Sequence, residues 1–265
     1  ARHPDARLEQ WVLGLEGTVE QYAGESRKAL AILSEVEGWF ERNTVHEHWF
    51  IDLLRAHKML ALEQQGRYFE LREEIERYAR EAERCGDEAF QRGLTFYEAR
   101  THLMRDRPDE ASRIAQHRLG HFEIAPARWV LLNTEAANLL YRNAPDAELE
   151  ELLAHVHEFR HEMYAKGVNL VATQRAVVEG RLRALLWTRG RSEHAAGLKR
   201  VTKELAKMKM PFSDSLSALL QATIYLRNDD KNAALIKLRT ELPNLRRMGY
   251  SHLQAAAHWG ISQLD

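Results

Sequence analysis

The segment whose residue types and spacing are closest to a known chemistry is His157-Glu158-Phe159-Arg160-His161, a match to the zinc-protease pattern H-E-x-x-H. On a helix, two histidines four residues apart lie on one face and can bind one zinc ion, while the glutamate activates a bound water. A third ligand is hard to place, because Gly167 stands six residues beyond His161 and Glu179 is only a loose candidate. We therefore keep a zinc hydrolase as a remote alternative and predict no catalytic residue.

Other side chains that could bind a metal or a cofactor form weaker patterns. His117 and His121 can share a helical face, whereas His46 and His48 cannot. The chain has no phosphate-binding G-x-x-x-x-G-K loop, no glycine-rich nucleotide loop and none of the kinase catalytic tripeptides. The single cysteine, Cys85, excludes an internal disulfide framework and fits a reducing cytoplasm. We accordingly predict no cofactor, no metal site and no enzymatic activity for these residues.

Positive charge is concentrated in the C-terminal third, although the formal net charge of the chain is −1. Residues 1–180 hold 23 Lys and Arg against 32 Asp and Glu, a balance of −9, whereas residues 181–250 hold 15 against 6, a balance of +9. Such a region can bind an acidic protein or a nucleic acid, but few aromatic residues accompany it, and simple solvation is the competing explanation. The cations concerned are Arg181, Arg183, Arg189, Arg191, Lys199, Arg200, Lys203 and Lys207.

Helices must position all these side chains, because apolar residues recur at helical spacing along nearly the whole chain and no segment alternates with period two for long. The first helix, about 5–22, carries Leu8, Trp11, Val12, Leu15 and Val19 on one face. The second follows Gly24 through Phe40, and the third runs from about Trp49 to Gly66. Further helices are predicted at about 67–84, 87–105, 108–121, 126–141, 145–166, 168–188, 192–207, 212–226, 231–247 and 250–264.

Two of these helices carry further local signals. In helix 67–84, Glu73 with Arg77 and Glu76 with Arg80 have the i, i+4 spacing of charge pairs on a solvated face. In helix 231–247, Pro243 should kink or shorten the helix, since proline removes a backbone donor.

Helix-breaking residues recur at regular intervals and mark the corners between paired helices. Their steps along the chain are 42, 40, 37, 47 and 38 residues. Glycines that look like helix C-caps, Gly86, Gly167 and Gly249, are separated by 81 and 82 residues, which is twice that step. A period near forty with two helices per period predicts one all-α solenoid domain of about six hairpins over residues 1–265, with 250–264 as a capping helix. The corners are Gly24, Gly66, Asp106, Asn143, Gly190 and Asn228.

Helical pairs with short Gly, Asp or Asn corners and an alanine early in the second helix resemble tetratricopeptide repeats of a longer, degenerate kind. Such arrays are found as sensor or scaffold regions of bacterial serine/threonine kinases, signal-transducing ATPases and transcription activators. The segment 245–261 is similar to the way the helical C-terminal regions of some of those kinases end. The resemblance implies a right-handed superhelix with a concave groove for extended peptides. The alanines that carry it are Ala111, Ala147, Ala195 and Ala233.

We therefore predict a non-catalytic protein- or peptide-binding scaffold or sensor domain of a bacterial regulatory protein. Its partner would be a protein, a peptide or another domain of its own chain. If the basic region 181–250 is the binding surface, we expect that partner to be acidic. A nucleic acid is the less favoured partner. No run approaches the roughly 18 apolar residues that cross a bilayer, so we predict no membrane partner and a cytoplasmic location. The candidate binding residues are Arg100, Asn133, Asn138, Arg175, Arg181, Arg183, Arg191 and Arg200.

The beginning of the chain adds an expectation about its origin. It starts at Ala1 without a methionine and enters a helical pattern almost at once, so we expect a piece of a longer polypeptide.

Overall fold

Thirteen helices build the part of the chain that the structure describes. The computed structural model describes residues 5–43, 47–119, 125–165 and 169–264, with the backbone alone at 119, 125–127, 160–165 and 169–172. No strand occurs in these ranges, which confirms the all-α prediction, and no helix in them has the length and apolar character that crossing a bilayer requires. The helices are α1 (Ala6–Tyr22), α2 (Ser26–Asn43), α3 (His48–Gln64), α4 (Tyr68–Cys85), α5 (Glu88–Leu103), α6 (Pro108–Leu119), α7 (Ala125–Tyr141), α8 (Asp146–Ala165), α9 (Asn169–Thr188), α10 (His194–Lys207), α11 (Pro211–Arg227), α12 (Lys231–Met248) and α13 (Ser251–Ser262).

Neighbouring helices pack in sequence, and the odd-numbered helices also pack on one another. Helix α1 contacts α3, α3 contacts α5, and the series continues through α7 and α9 to α11. The odd-numbered helices therefore form one continuous layer. The even-numbered helices lie beside it as the second members of the hairpins.

A residue with left-handed backbone conformation (positive φ) follows the first helix of each predicted hairpin. Five of the six lie where the sequence predicts them, and the sixth is Asp229 (φ 60°) instead of Asn228. Asn228 is the C-cap of α11 with φ −97°, and the left-handed residue follows the cap. The five predicted positions are Gly24 (φ 85°), Gly66 (φ 69°), Asp106 (φ 57°), Asn143 (φ 52°) and Gly190 (φ 95°).

The caps between hairpins also follow the prediction where they are described. Gly86 and Gly249 are left-handed C-caps of α4 and α12, whereas Gly167 lies outside the described residues. Two aspartates that were not predicted as caps accept hydrogen bonds from backbone N–H groups three residues later: Asp87, between hairpins, caps α5, and Asp230, inside the sixth hairpin, caps α12.

Helix α1 packs through only part of its predicted apolar face, where Trp11 stacks on Phe50 with ring centroids 4.2 Å apart. Leu8, Val12 and Val19 are each 60% or more exposed, while Gly14 and Gly17 are buried. A Cβ at Gly17 would lie only 3.0 Å from Ile32 Cγ2 of α2, and one at Gly14 only 2.9 Å from Leu54 Cδ2 of α3, so the two glycines let α1 approach both helices closely. An apolar stripe at helical spacing therefore predicted the buried face only in part here.

Three further expectations need correction. The sequence predicts that Pro243 kinks or shortens its helix, and the shortening does not occur, because Pro243 lies inside α12, which continues to Met248. Ala111 is fully buried, but Ala147 is exposed and does not lie at a close helix crossing. Arg77 bonds Glu74 on its own helix and reaches Glu37 and Glu41 on α2, in place of the predicted Glu73.

The Arg77 bonds belong to a buried ionic cluster that joins three helices. The Glu37 carboxylate of α2 accepts from Arg55 and Lys58 of α3 at 3.0 Å each. It also accepts from Arg77 at 2.9 Å and from the hydroxyl of Tyr78 at 3.1 Å, both on α4. Because these cations surround the carboxylate, they lower the pKa of Glu37 although burial opposes that shift.

The last two helices contact the first two corners of the array. The Arg247 guanidinium binds the Glu25 carboxylate at 2.7 Å, and Ser251 Oγ donates to the Gln65 carbonyl at 2.7 Å. A Cβ at Gly24 would lie 3.0 Å from Met248 Sδ, so this corner also packs closely on α12. The array therefore curves until its two ends meet.

Candidate binding cavity

The curved layer of odd-numbered helices surrounds a cavity of about 300 Å³, which is at the lower end of the range for small-ligand sites. Helices α1, α3, α5, α7, α9, α11 and α13 all contribute side chains to it, together with Tyr68 at the start of α4. It is thus built from parts of the chain more than two hundred residues apart. The lining residues include Gln21, Tyr22, Glu63, Gln64, Tyr68, Gly93, Phe96, Tyr97, Arg100, Trp129, Asn133, Gln174, Val177, Arg181, Phe212 and His252.

Aromatic rings and amides make up much of the wall. The indole Nε1 of Trp129 donates to Gln174 Oε1 at 2.7 Å, which fixes the ring against the cavity. The Tyr97 hydroxyl donates to the Ala56 carbonyl at 3.2 Å, and burial raises the pKa of Tyr97 well above its usual value. These rings present flat apolar surface, while the amides offer hydrogen bonds that could orient a ligand.

Three charged side chains face the cavity, and only two of them form a pair. Arg100 Nη1 lies 3.5 Å from Glu63 Oε1. Among the described residues, Arg181 has no carboxylate within salt-bridge distance. Burial, and next the charge of Arg100, lower the pKa of Arg181 to about 10, so that it is still a cation at neutral pH.

His252 of α13 adds a neutral ring close to these guanidiniums. Burial, followed by the charges of Arg181 and Arg100, lowers its pKa to about 4. At neutral pH the imidazole is therefore uncharged, and its Nδ1 has no hydrogen-bond partner in the described residues.

A second, more open cavity of about 460 Å³ adjoins the first at the ends of α5 and α7. Both cavities are lined by Arg100 and Arg181, so the two guanidiniums lie at their boundary. The open cavity otherwise has mainly apolar walls. Its other lining residues are Leu103, Met104, Ala137, Leu140, Tyr141, Ala184 and Leu220.

Of the eight predicted binding residues, the structure brings Arg100, Asn133 and Arg181 together at the enclosed cavity. Asn138 is buried elsewhere on α7 and donates to Ser112 Oγ of α6. The other four are arginines with carboxylate partners away from the cavity: Arg175, Arg183, Arg191 and Arg200.

Three of those four arginines converge on Glu179, whose side chain is fully buried. Glu179 accepts from Arg175 at 2.5 Å, from Arg183 at 2.8 Å and from Arg200 at 2.6 Å. Arg175 also binds Glu204 of α10. Hydrogen bonds and charges from these arginines, Arg183 first, lower the pKa of Glu179 against the effect of burial. This cluster fastens α9 to α10.

The basic region is partly neutralised by carboxylates in the same way. Arg189 binds Asp146 at 2.8 Å and Arg191 binds Glu150 at 2.5 Å, so both arginines tie the fifth hairpin to α8. Lys199, Lys203 and Lys207 are exposed and lie four residues apart on α10. Fewer basic side chains are therefore available to bind a partner than the sequence alone indicates.

The zinc-protease pattern lies on α8, where His157 and Glu158 are exposed. The side chain of His161 is outside the described residues, as are His46 and His121, so these histidine pairs stay predictions. Glu179 cannot serve as the third zinc ligand without giving up its three arginine partners.

Glu150, Glu193 and His194 form the group of potential metal ligands that the described residues bring together. Arg191 binds both carboxylates, at 2.5 Å to Glu150 and at 3.2 Å to Glu193. The Arg191 guanidinium thus already neutralises the two carboxylates that a metal ion would need as ligands.

Sequence reasoning missed most of the cavity wall, notably Tyr22, Glu63, Trp129 and His252. A signal exists in retrospect on single helices. On α5, Gly93, Phe96, Tyr97 and Arg100 recur at helical spacing as a stripe that is partly aromatic and partly charged. No such local pattern tells which stripes of different helices meet.

No protein-family model matches the chain, and a search of curated proteins finds no significant match.

Proposed function

We propose that this chain is a non-catalytic binding and sensor module that takes its ligand into the enclosed cavity. The observation that carries the proposal is the convergence of all seven odd-numbered helices on one cavity with aromatic, amide and arginine walls. A ligand there would touch both ends of the array at once, through α1 and α13. Its binding would therefore stabilise the arrangement in which the two ends of the array meet, and a partner protein or a further domain could detect that stabilisation.

The finer architecture is part of the same proposal. Six hairpins with left-handed corners, an inner layer of first helices and a last unpaired helix support a right-handed superhelix of tetratricopeptide-like repeats. The resemblance to the helical regions of bacterial kinases and signalling ATPases supports a regulatory role.

Gly93 of α5 allows a direct test of cavity binding. It lines the cavity, and a Cβ at this position would meet no atom within 4 Å, so Gly93→Phe can place a ring in the cavity without a clash at its base. We would screen pooled short peptides and metabolite-sized compounds by native mass spectrometry against wild type, Gly93→Phe and Gly93→Ala. Ligands that bind wild type and Gly93→Ala but not Gly93→Phe support the proposal. Ligands that bind all three equally would show that the cavity is not the site.

A second candidate function rests on the exposed lysine stripe of α10, which could bind an acidic protein. Lys199, Lys203 and Lys207 share one face, and the described residues give them no carboxylate partner. Affinity for an acidic peptide should fall steeply with added salt and should be lost in the variant with all three lysines changed to Glu. A binding constant that does not change with salt speaks against this surface.

The zinc hydrolase on His157, Glu158 and His161 is the remote alternative, and elemental analysis tests it. Stoichiometric zinc in the purified protein, lost in His157→Ala, would support it. Zinc-free protein that also fails to bind added zinc would remove it.

A further inference from the structure

The charges around the enclosed cavity sum to one uncompensated positive charge. Arg100 and Glu63 pair with each other, and His252 is neutral at physiological pH, which leaves the Arg181 guanidinium. An isolated charge removed from bulk water is energetically unfavourable, and an anion within hydrogen-bonding distance removes much of that penalty. The cavity thus matches a ligand that carries a single negative charge.

The single positive charge at Arg181 favours a carboxylate over a phosphate. A guanidinium presents a planar fork of N–H donors that a carboxylate can accept in bidentate geometry. A phosphate monoester, with close to two negative charges at neutral pH, would exceed the one charge that is available and would repel the nearby Glu63 carboxylate.

The rest of the wall indicates what the carboxylate is attached to. On the enclosed side of the two guanidiniums lie Phe96, Trp129 and Phe212, with the Asn133 and Gln174 amides among them. Flat rings stack on such surfaces, and the limited volume of about 300 Å³ suits a compact molecule better than an extended peptide.

We infer that the cavity binds a small aromatic monocarboxylic acid, with its carboxylate on Arg181 and its ring among Phe96, Trp129 and Phe212. This inference rests on the proposed function, because it assigns a ligand class to the same cavity. Arg181 is the residue that recognises the acid, and the ring walls determine which acids fit.

The matching experiment compares an acid with its neutral amide. N-acetyl-phenylalanine and N-acetyl-phenylalaninamide have the same ring and nearly the same shape, but only the first carries a carboxylate. In isothermal titration calorimetry, wild type should bind the acid about 10- to 100-fold more tightly than the amide, the range expected for a charge-assisted bidentate contact. Inorganic phosphate should bind more weakly than the acid.

Two variants test whether Arg181 causes the difference in affinity between the acid and the amide. Arg181→Met should reduce affinity for the acid about 10- to 100-fold and leave the amide unchanged. Arg191→Met removes an exposed arginine outside the cavity and should bind both probes as wild type does. Thermal unfolding of each variant, followed by circular dichroism, verifies that it is folded.

Several outcomes would overturn the inference. They are equal binding of acid and amide by wild type, undiminished binding of the acid by Arg181→Met, phosphate binding as tight as that of the acid, and no binding of any probe. A peptide that ends in phenylalanine and binds more tightly than the free acid would assign the site to chain termini and would overturn the small-molecule class. Because the Gly93→Phe screen does not depend on a carboxylate, the proposed function could still stand if this inference fails.

Discussion

Two arginines of helix α9, Arg175 and Arg181, lie six residues apart and have opposite surroundings. At 3.6 residues per turn they point about 120° apart around the helix. Arg175 is 1% exposed and binds the carboxylates of Glu179 and Glu204. Arg181 faces the enclosed cavity and has no carboxylate partner in the described residues. On one face of α9 an arginine therefore joins two helices, whereas on another face an arginine is available to bind a ligand.

The contrast between Arg175 and Arg181 separates a charge that stabilises the fold from one that can bind a ligand. Proteins rarely keep a secluded charge without a partner, because its desolvation is not compensated. Where the partner is a neighbouring side chain, the charge contributes to folding specificity. Where the partner is missing and a cavity lies beside it, a ligand is the natural source of the opposite charge.

The largest expected effect tests the paired side of this comparison. Glu179→Gln should lower the free energy of unfolding by about 3–5 kcal/mol, because it leaves the buried Arg175 and its two neighbours without their shared carboxylate. Urea unfolding followed by circular dichroism measures this loss. Glu150→Gln, which removes a surface partner of Arg191, is the matched control and should change stability little. A Glu179 variant as stable as that control would show that the cluster is not structural.

The next effect concerns pH and the histidine beside Arg181. The pKa of His252 is about 4 in the folded protein, so the unfolded chain binds its proton first as pH falls. Stability from this residue is therefore intact above pH 6.5 and is lost between about pH 6.5 and 4, by up to about 3 kcal/mol. Unfolding titrations at a series of pH values should show the loss, and His252→Gln should reduce it.

NMR titration connects that pH effect to Arg181. Arg181→Leu removes a positive charge near the ring, so the pKa of His252 should rise. His57 is an internal control, because burial alone lowers its pKa to about 4. Equal shifts of both histidines would indicate a general loosening of the fold and not the loss of one charge.

Replacing Arg181 should change the free energy of unfolding less than replacing Glu179 does, and in the opposite direction. In the absence of ligand, Arg181→Leu should leave the free energy of unfolding unchanged or raise it by about 1–3 kcal/mol, since an unpaired charge is exchanged for an apolar group. Arg175→Leu should instead be strongly destabilising. If the two variants lose stability equally, Arg181 is a structural residue like Arg175 and the comparison fails.

The sequence predicts the helices and most of the corners because these depend on local chemistry. Gly24 and Asn143 break helices through their own backbone preferences, and capping residues act within one turn. Even there, Asn228 and Asp229 are equally suited to the left-handed conformation, and the position at which α11 ends determines that Asp229 adopts it.

The cavity depends on information that no local pattern contains. Glu179 lies four residues from both Arg175 and Arg183 on α9, so sequence spacing alone allows these two pairs. The spacing does not show that Glu204 and Arg200 of α10 join them, or that Arg181 faces a cavity. The apolar stripe of α1 is only a partial guide, since Trp11 packs on Phe50 while Leu8, Val12 and Val19 are exposed and small residues on another face make the closer contacts. Which stripes meet is decided by the curvature of the whole array.

The smallest effect belongs to a third arginine, which is paired but exposed. Arg247 is bound to Glu25 where the ends of the array meet, and the two side chains are 57% and 44% exposed. A double-mutant cycle with Arg247→Met and Glu25→Gln should give a coupling free energy of about 0.2–1 kcal/mol that falls as salt is added. Pairing without burial then contributes little, and burial accounts for the difference between this pair and the Arg175 cluster. A salt-independent coupling several times larger would mean instead that contact between the two ends controls the stability of the array, so that ligands bridging α1 and α13 would act through that contact.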